Sequence, residues 1–184
     1  MLSEAINAVD KSGVSLAMGS AQEETIKISG FYNVECVGAD GQVKWSDTIK
    51  NLVVTVGKND LLDKYFAGSS YTAVWYMGLV DGTSTPTYAA TDTLASHAGW
   101  TENTGYVGIN RISVGWNAAS SGYKTSTSTT FSINVSGTIA GALLTVTQAK
   151  ATTTGVLYSA GNFTGGSRTV ISGDTLNIVY TASV

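Results

Sequence analysis

From Thr25 to the C-terminus, apolar residues recur with a period of two in short runs broken by glycine, aspartate and serine. Successive side chains of a strand face opposite ways, so this period predicts half-buried β-strands. Ile26 and Ile28 alternate with polar neighbours, and Phe31–Val37 continues the strand past a bulge expected at Ser29-Gly30. Ala39-Asp40-Gly41 predicts a hairpin turn, because Asp-Gly accepts the positive φ of a type I′ turn. Gln42–Ser46 is the return strand, and Ile49–Val56 predicts another. The period then changes. Leu61, Leu62, Tyr65 and Phe66 fall on one face of a helix over 59–67, with Asn59 as its cap and Gly68 as its stop. That amphipathic helix should lie across one end or edge of a sheet.

Strand signals resume at Tyr71–Val80, a nearly unbroken apolar run expected to be buried on both faces. Thr83–Ala90, holding the sole proline, Pro86, predicts an irregular loop, and Asp92 caps a short helical turn through His97. Tyr106–Trp116 predicts a strand, Ala118–Thr130 a Ser/Thr-rich loop, and Phe131, Ile133 and Val135 an alternating strand ended by Gly137. Thr138–Thr147, Gly155–Ser159, Arg168–Ile171 and Thr175–Ala182 complete the set, with Leu176, Ile178 and Tyr180 on one face of the last. About eight to ten strands at regular spacing imply an all-β fold, a β-sandwich of jelly-roll type.

Residues 1–24 break the alternation, so the chain divides into an N-terminal arm, 1–24, and a single β-sandwich domain, 25–184. Leu2, Ala5, Ile6 and Val9 have helical spacing, with Ser3 placed to cap. A helix of under about 12 residues is marginal alone. Two readings stand: a frayed terminus, or an arm that orders against another chain through Leu2, Ile6, Val9, Val14, Leu16 and Met18. The second follows from the cost of order. Fixing a residue costs roughly 1–2 kcal/mol of backbone entropy, whereas burying a large apolar side chain returns roughly 1.5–3 kcal/mol. The arm should therefore order only where a neighbour supplies contacts.

Composition agrees with the pattern. Of 184 residues only 12% are charged, and 25 Thr, 21 Ser and 21 Gly fill the polar positions. Threonine suits strand surfaces, while glycine and serine suit turns; a solvated helical bundle would carry far more Glu, Lys and Arg. The net charge is −3, and the 10 Lys and Arg are scattered, so no basic stripe points to nucleic acid. No apolar run approaches the ~18 residues of a membrane span, and no basic segment followed by an apolar core announces a signal peptide. A single cysteine, Cys36, rules out an intrachain disulfide, and a single histidine, His97, rules out multi-histidine metal sites.

Candidate chemistry is thin. His97 has Ser96 beside it and Asp92 five residues back, but adjacent helix residues diverge and no Gly-x-Ser-x-Gly elbow is present. Cys36 lies in a predicted strand without a nearby histidine and fits a buried small hydrophobe. Asp40, Asp81 and Asp174 each adjoin a glycine; turn chemistry explains them, and no clustered acidic pattern indicates Ca²⁺. Glu35 and Glu102 are the nominal glycosidase pair, with nothing in their spacing to favour it. Asn134-Val135-Ser136 and Asn162-Phe163-Thr164 match glycosylation sequons. No catalytic residue, cofactor or metal site is expected. Trp45, Trp75, Trp100, Trp116 and nine tyrosines exceed the needs of one core, so some should anchor an interface or stack on sugars.

Several stretches resemble a family of small virion structural proteins from tailed bacteriophages. They are Asn51-Leu52-Val53 through Leu61-Leu62-Asp63, Trp75–Leu79, Ala95–Glu102, Thr154–Ala160 and Ser172–Leu176, within residues 28–184. The resemblance implies a non-enzymatic head-associated protein: a decoration or cement protein that binds and stabilises the capsid lattice. It further implies the major capsid protein and copies of this chain as partners, assembly in the host cytoplasm, and a final place on the virion surface. Residues 1–27 lie outside the resemblance. The alternative it leaves is a tail, collar or fibre-associated module that binds a receptor or carbohydrate.

Overall fold

The computed structural model describes residues 27–66, 68 and 74–184. They form an all-β, sandwich-like fold with one helix. The elements are β1 (Ser29–Val37), β2 (Val43–Val53), α1 (Thr55–Phe66), β3 (Trp75–Asp81), β4 (Glu102–Asn103), β5 (Ile112–Val114), β6 (Tyr123–Thr125), β7 (Thr129–Ser132), β8 (Gly137–Thr145), β9 (Leu157–Phe163), β10 (Arg168–Val170) and β11 (Thr175–Ser183). The arm residues Leu2, Ile6, Val9, Val14, Leu16 and Met18, and the arm itself, lie outside the described residues.

All pairings are antiparallel, in the order β4-β3-β8-β9-β2-β1-β11-β6, with β5 on β3, β10 on β8 and β7 on β11. The sheet curls until its margins meet. Tyr106 bridges Ile133, Trp116 bridges Ser126, and Thr127 N–H donates to Gly115 C=O at 2.9 Å. The two layers so formed enclose one core, which includes Tyr32, Ile49, Met77, Phe131, Leu144 and Ile178. Leu176, Ile178 and Tyr180 share the inward face, as their alternation requires. In β8, Ile139 faces inward and so do Ala142 and Leu144, although their parity differs. A register shift opposite Val80/Asp81 resolves this, because one extra residue flips every later side chain.

A second cluster covers the outside of β3, β8 and β9. The loop after β3 brings Leu94 and Trp100 onto Val80, Leu143, Leu157 and Ala160. Pro86 is buried beneath it, and its carbonyl accepts from Asn162 Nδ2 at 3.1 Å. Among the described residues, the outer face of β2, β1 and β11 has no such cover. Asn33, Glu35, Ser46, Thr48 and Asn177 line a shallow groove of about 510 Å³ there.

Several local expectations are corrected. The Ser29-Gly30 bulge is absent; pairing with β11 is regular there, and the shift falls at Cys36/Val37. Two strands expected at 42–46 and 49–56 are one, β2, because Asp47 and Thr48 stay in register with Val34 and Asn33. The helix begins at Thr55 rather than 59, which puts Asn59 inside it and not at its cap. Its first N–H groups are satisfied from outside: Val54 N–H donates to Tyr158 C=O and Thr55 N–H to Ala90 C=O. Gly57 makes this start possible, since a Cβ there would lie 2.7 Å from Tyr158 Cα. No helical turn forms at 92–97, because Asp92 turns back to accept from Ala89 N–H. The strand expected over 106–116 shrinks to β5, and the loop over 118–130 contains β6 and the start of β7. Ala160-Gly161-Asn162 continues β9, where Gly161 packs so tightly against Gly141 that a Cβ on Gly141 would collide with the Gly161 carbonyl.

Candidate functional site: an aromatic cup at one end of the sandwich

The strand registers bring like ends together. The start of β1, β3 and β9 and the finish of β2, β5, β8 and β11 meet at one end, with α1 following directly on β2. This is the helix end. The opposite, turn end carries the β1–β2 hairpin, β10 and the start of β11.

At the helix end Trp75, Trp116, Tyr158 and Tyr180 wall a cavity of about 240 Å³, completed by Leu61, Leu144, Ala182 and Lys124. Trp75 meets Tyr158 edge-on at 5.4 Å and Trp116 meets Tyr180 edge-on at 6.1 Å, geometries that suit the ring quadrupoles. Burial raises the Tyr158 and Tyr180 phenols above their ordinary value, so both stay neutral. The one cation among the described lining residues, Lys124, donates to Asn117 C=O at 2.9 Å and sits 5.9 Å from the Trp116 ring centre. The rim is apolar as well. Tyr65 is 80% exposed, Phe66 70% and Tyr123 54%, and Leu62, Val74 and Val184 are exposed beside them. Here the sequence expectation fails: the face read as sheet-packing leaves only Leu61 against the core, and Leu62, Tyr65 and Phe66 stand in solvent. The helix docks through Gly57 and Leu61, so its later turns pass beyond the sheet.

The turn end is built from ion pairs. Asp174, with its side chain fully buried, accepts from Lys44 Nζ at 2.7 Å and from Ile171 N–H at 2.9 Å. Asp47 takes Arg168 Nη2 at 2.6 Å and Nε at 3.0 Å, and the Thr164 hydroxyl at 2.8 Å. Asp81 binds Thr83, and Asn103 Nδ2 at 2.9 Å. Burial alone would raise all three carboxyls, but the donors outweigh it and hold each below the usual carboxylate range.

The sequence-level candidates sit apart from the cup. His97 stacks on Trp100 at 4.0 Å and its Nδ1 pairs with the Trp100 carbonyl at 2.9 Å. Asp92 binds Trp100 Nε1 instead of His97, so Asp92, Ser96 and His97 make a loop anchor, not a triad. Glu102 is occupied by Arg111, Nε on Oε1 at 2.7 Å and Nη2 on Oε2 at 2.8 Å, while Glu35 stands on the bare outer face; the two form no carboxylate pair. Cys36 is buried, and burial followed by the nearby Asp174 carboxylate pushes its thiol up to about 11. Asp40, Asp81 and Asp174 each accept from a backbone N–H of their own turn. Among the described residues, no group of three or more His, Cys, Asp or Glu could hold a metal, and no helix is long and apolar enough to cross a membrane. Asn162 of the second sequon is engaged with Tyr88 Oη at 2.6 Å, and Asn134 is exposed.

Sequence reasoning missed Lys150. Its Nζ donates to the carbonyls of Tyr106 at 2.8 Å and Gly108 at 2.7 Å and lies 3.5 Å from the Tyr106 ring centre, pinning the loop before β5. It also missed the cup, whose walls come from α1, β3, β8, β9, β11 and the strands near Trp116. The surplus of tryptophan was the available signal. Compared with known proteins, the chain matches no protein-family model and no curated sequence.

Proposed function

We propose that this protein is a non-enzymatic structural component of a tailed-phage virion, a decoration or cement protein that binds the major capsid protein and its own copies on the head surface. The sequence resemblance supplies the class. The observation that carries the reading is the one-sided distribution of apolar surface. A sandwich whose turn end engages its carboxylates in internal ion pairs, and whose helix end exposes Tyr65, Phe66 and Tyr123 around an aromatic cup, suits docking by one end. Exposed clustered aromatics mark protein contacts more often than free surface. Repetition over a lattice would turn modest contacts into firm attachment.

Quantitative gel analysis of purified virions tests it. Hundreds of copies per particle, with density on the head, are expected. A dozen or fewer would place the protein on tail, collar or fibre. That second reading has its own observation, since Trp75 and Trp116 in one cup offer stacking faces for a sugar. A glycan array separates the two: no binding is expected of a decoration protein.

A further inference from the structure

We propose that the aromatic cup is the receptor for the N-terminal segment of a second copy of this chain, residues 1–24, so that two protomers exchange segments across their helix ends. The inference rests on the reading of the protein as a self-associating virion component, and names the contact through which it associates.

Position is the first argument. Ser29 pairs with Ser183, and Ala182 lines the cup, so the chain upstream of Lys27 is rooted at the cup's margin. Twenty-six residues precede Lys27; at ~3.3 Å each they reach up to about 85 Å, far beyond the width of one cup. Chemistry is the second. The segment carries Leu2, Ile6, Val9, Val14, Leu16 and Met18, unbranched or small-branched side chains that fit between aromatic walls, and no aromatic of its own. The cup and rim supply the aromatics. Charge is the third: residues 1–24 hold Glu4, Asp10, Glu23 and Glu24 against Lys11, and among the described residues the charged one lining the cup is Lys124. Symmetry then favours exchange over self-docking. Two helix ends facing each other across a two-fold axis bring each root to the other's cup and cover both rims at once.

The test uses full-length protein. Cys36 is buried, so introduced cysteines can be oxidised selectively. Leu16→Cys and Tyr65→Cys are made in separate chains, mixed and oxidised, and also combined in one chain. Exchange predicts a disulfide-linked heterodimer from the mixture, and light scattering of the unmodified chain should give twice the monomer mass. Leu16→Asp/Met18→Asp should be monomeric, and Lys124→Glu should weaken the dimer by roughly tenfold at low salt and less at high salt. An internal disulfide in the double variant, with a monomeric parent, would mean self-docking and overturn the proposal. So would a dimer that survives Leu16→Asp/Met18→Asp, which would mean rim-to-rim packing, or the absence of any crosslink, which would leave the segment outside the cup. Virion attachment enters none of these readouts, so a failed exchange and a failed virion assignment are told apart.

Discussion

The two ends of the sandwich are made from the same strands and behave as opposites. At the turn end, Asp47, Asp81 and Asp174 gather lysine, arginine and backbone donors into tight loops. At the helix end, the cup is walled by four aromatic rings with Lys124 as the one charged lining residue among the described residues, beside a rim of exposed Tyr, Phe, Leu and Val. A carboxylate that binds its own turn fixes local geometry and has little left to offer a partner. Aromatic surface fixes little locally and gains most when water is excluded by something else. One end should therefore govern stability, and the other association.

The largest expected effect lies at the turn end. Asp174→Ala removes a buried acceptor from Ile171 N–H and Lys44. The Lys44 ammonium is part exposed and regains water, so most of the cost is the stranded N–H and the lost turn, about 2–3 kcal/mol. Melting should fall by several degrees, and the oligomeric state of the folded fraction should be unchanged. A variant that melts normally would make the turn end ornamental.

Acid should act at the same end. Asp47, Asp81 and Asp174 have folded-state pKa values below their unfolded ones. Their contribution is complete above the unfolded carboxylate value, near pH 4, and is lost as pH falls through the lower folded values. Stability should be flat from neutral pH to about pH 5 and decline below about pH 4. Hydrogen exchange should show the Thr164–Asp174 region opening before α1. A decline already under way at pH 6 would require a different group.

At the helix end the pattern should invert. Tyr65→Ser/Phe66→Ser changes residues that are 80% and 70% exposed, so unfolding free energy should move by no more than about 0.5 kcal/mol. Self-association should nonetheless be reduced by an order of magnitude or more, measured by sedimentation. Loss of stability with intact association would reverse the comparison.

The smallest effect separates the sequence reading of α1 from the structure. A capping Asn59 would cost about 1 kcal/mol on replacement by alanine. Asn59 is instead exposed inside the helix, so Asn59→Ala should stabilise slightly, by up to about 0.5 kcal/mol of helix propensity. Urea denaturation resolves the sign.

Alternation at period two, turn residues, low charge and abundant threonine determined by themselves that this chain is all-β, that Leu176, Ile178 and Tyr180 face one core, and that a helix precedes Gly68. These are local properties, carried by side-chain periodicity and backbone preference, and any window of the sequence displays them. Where α1 starts was not legible, because its first N–H groups are satisfied by Tyr158 and Ala90, far along the chain. Nor was the fate of Leu62, Tyr65 and Phe66, since an amphipathic stripe states that a face is apolar and not what covers it. Short β4 and β6 were hidden, because they are strands only by virtue of the neighbours that pair with them. The cup is the extreme case. Leu61, Trp75, Trp116, Tyr158 and Tyr180 are scattered over more than half the sequence, and only the curling of the sheet, with its margins joined at Trp116 and Ser126, brings them to one end.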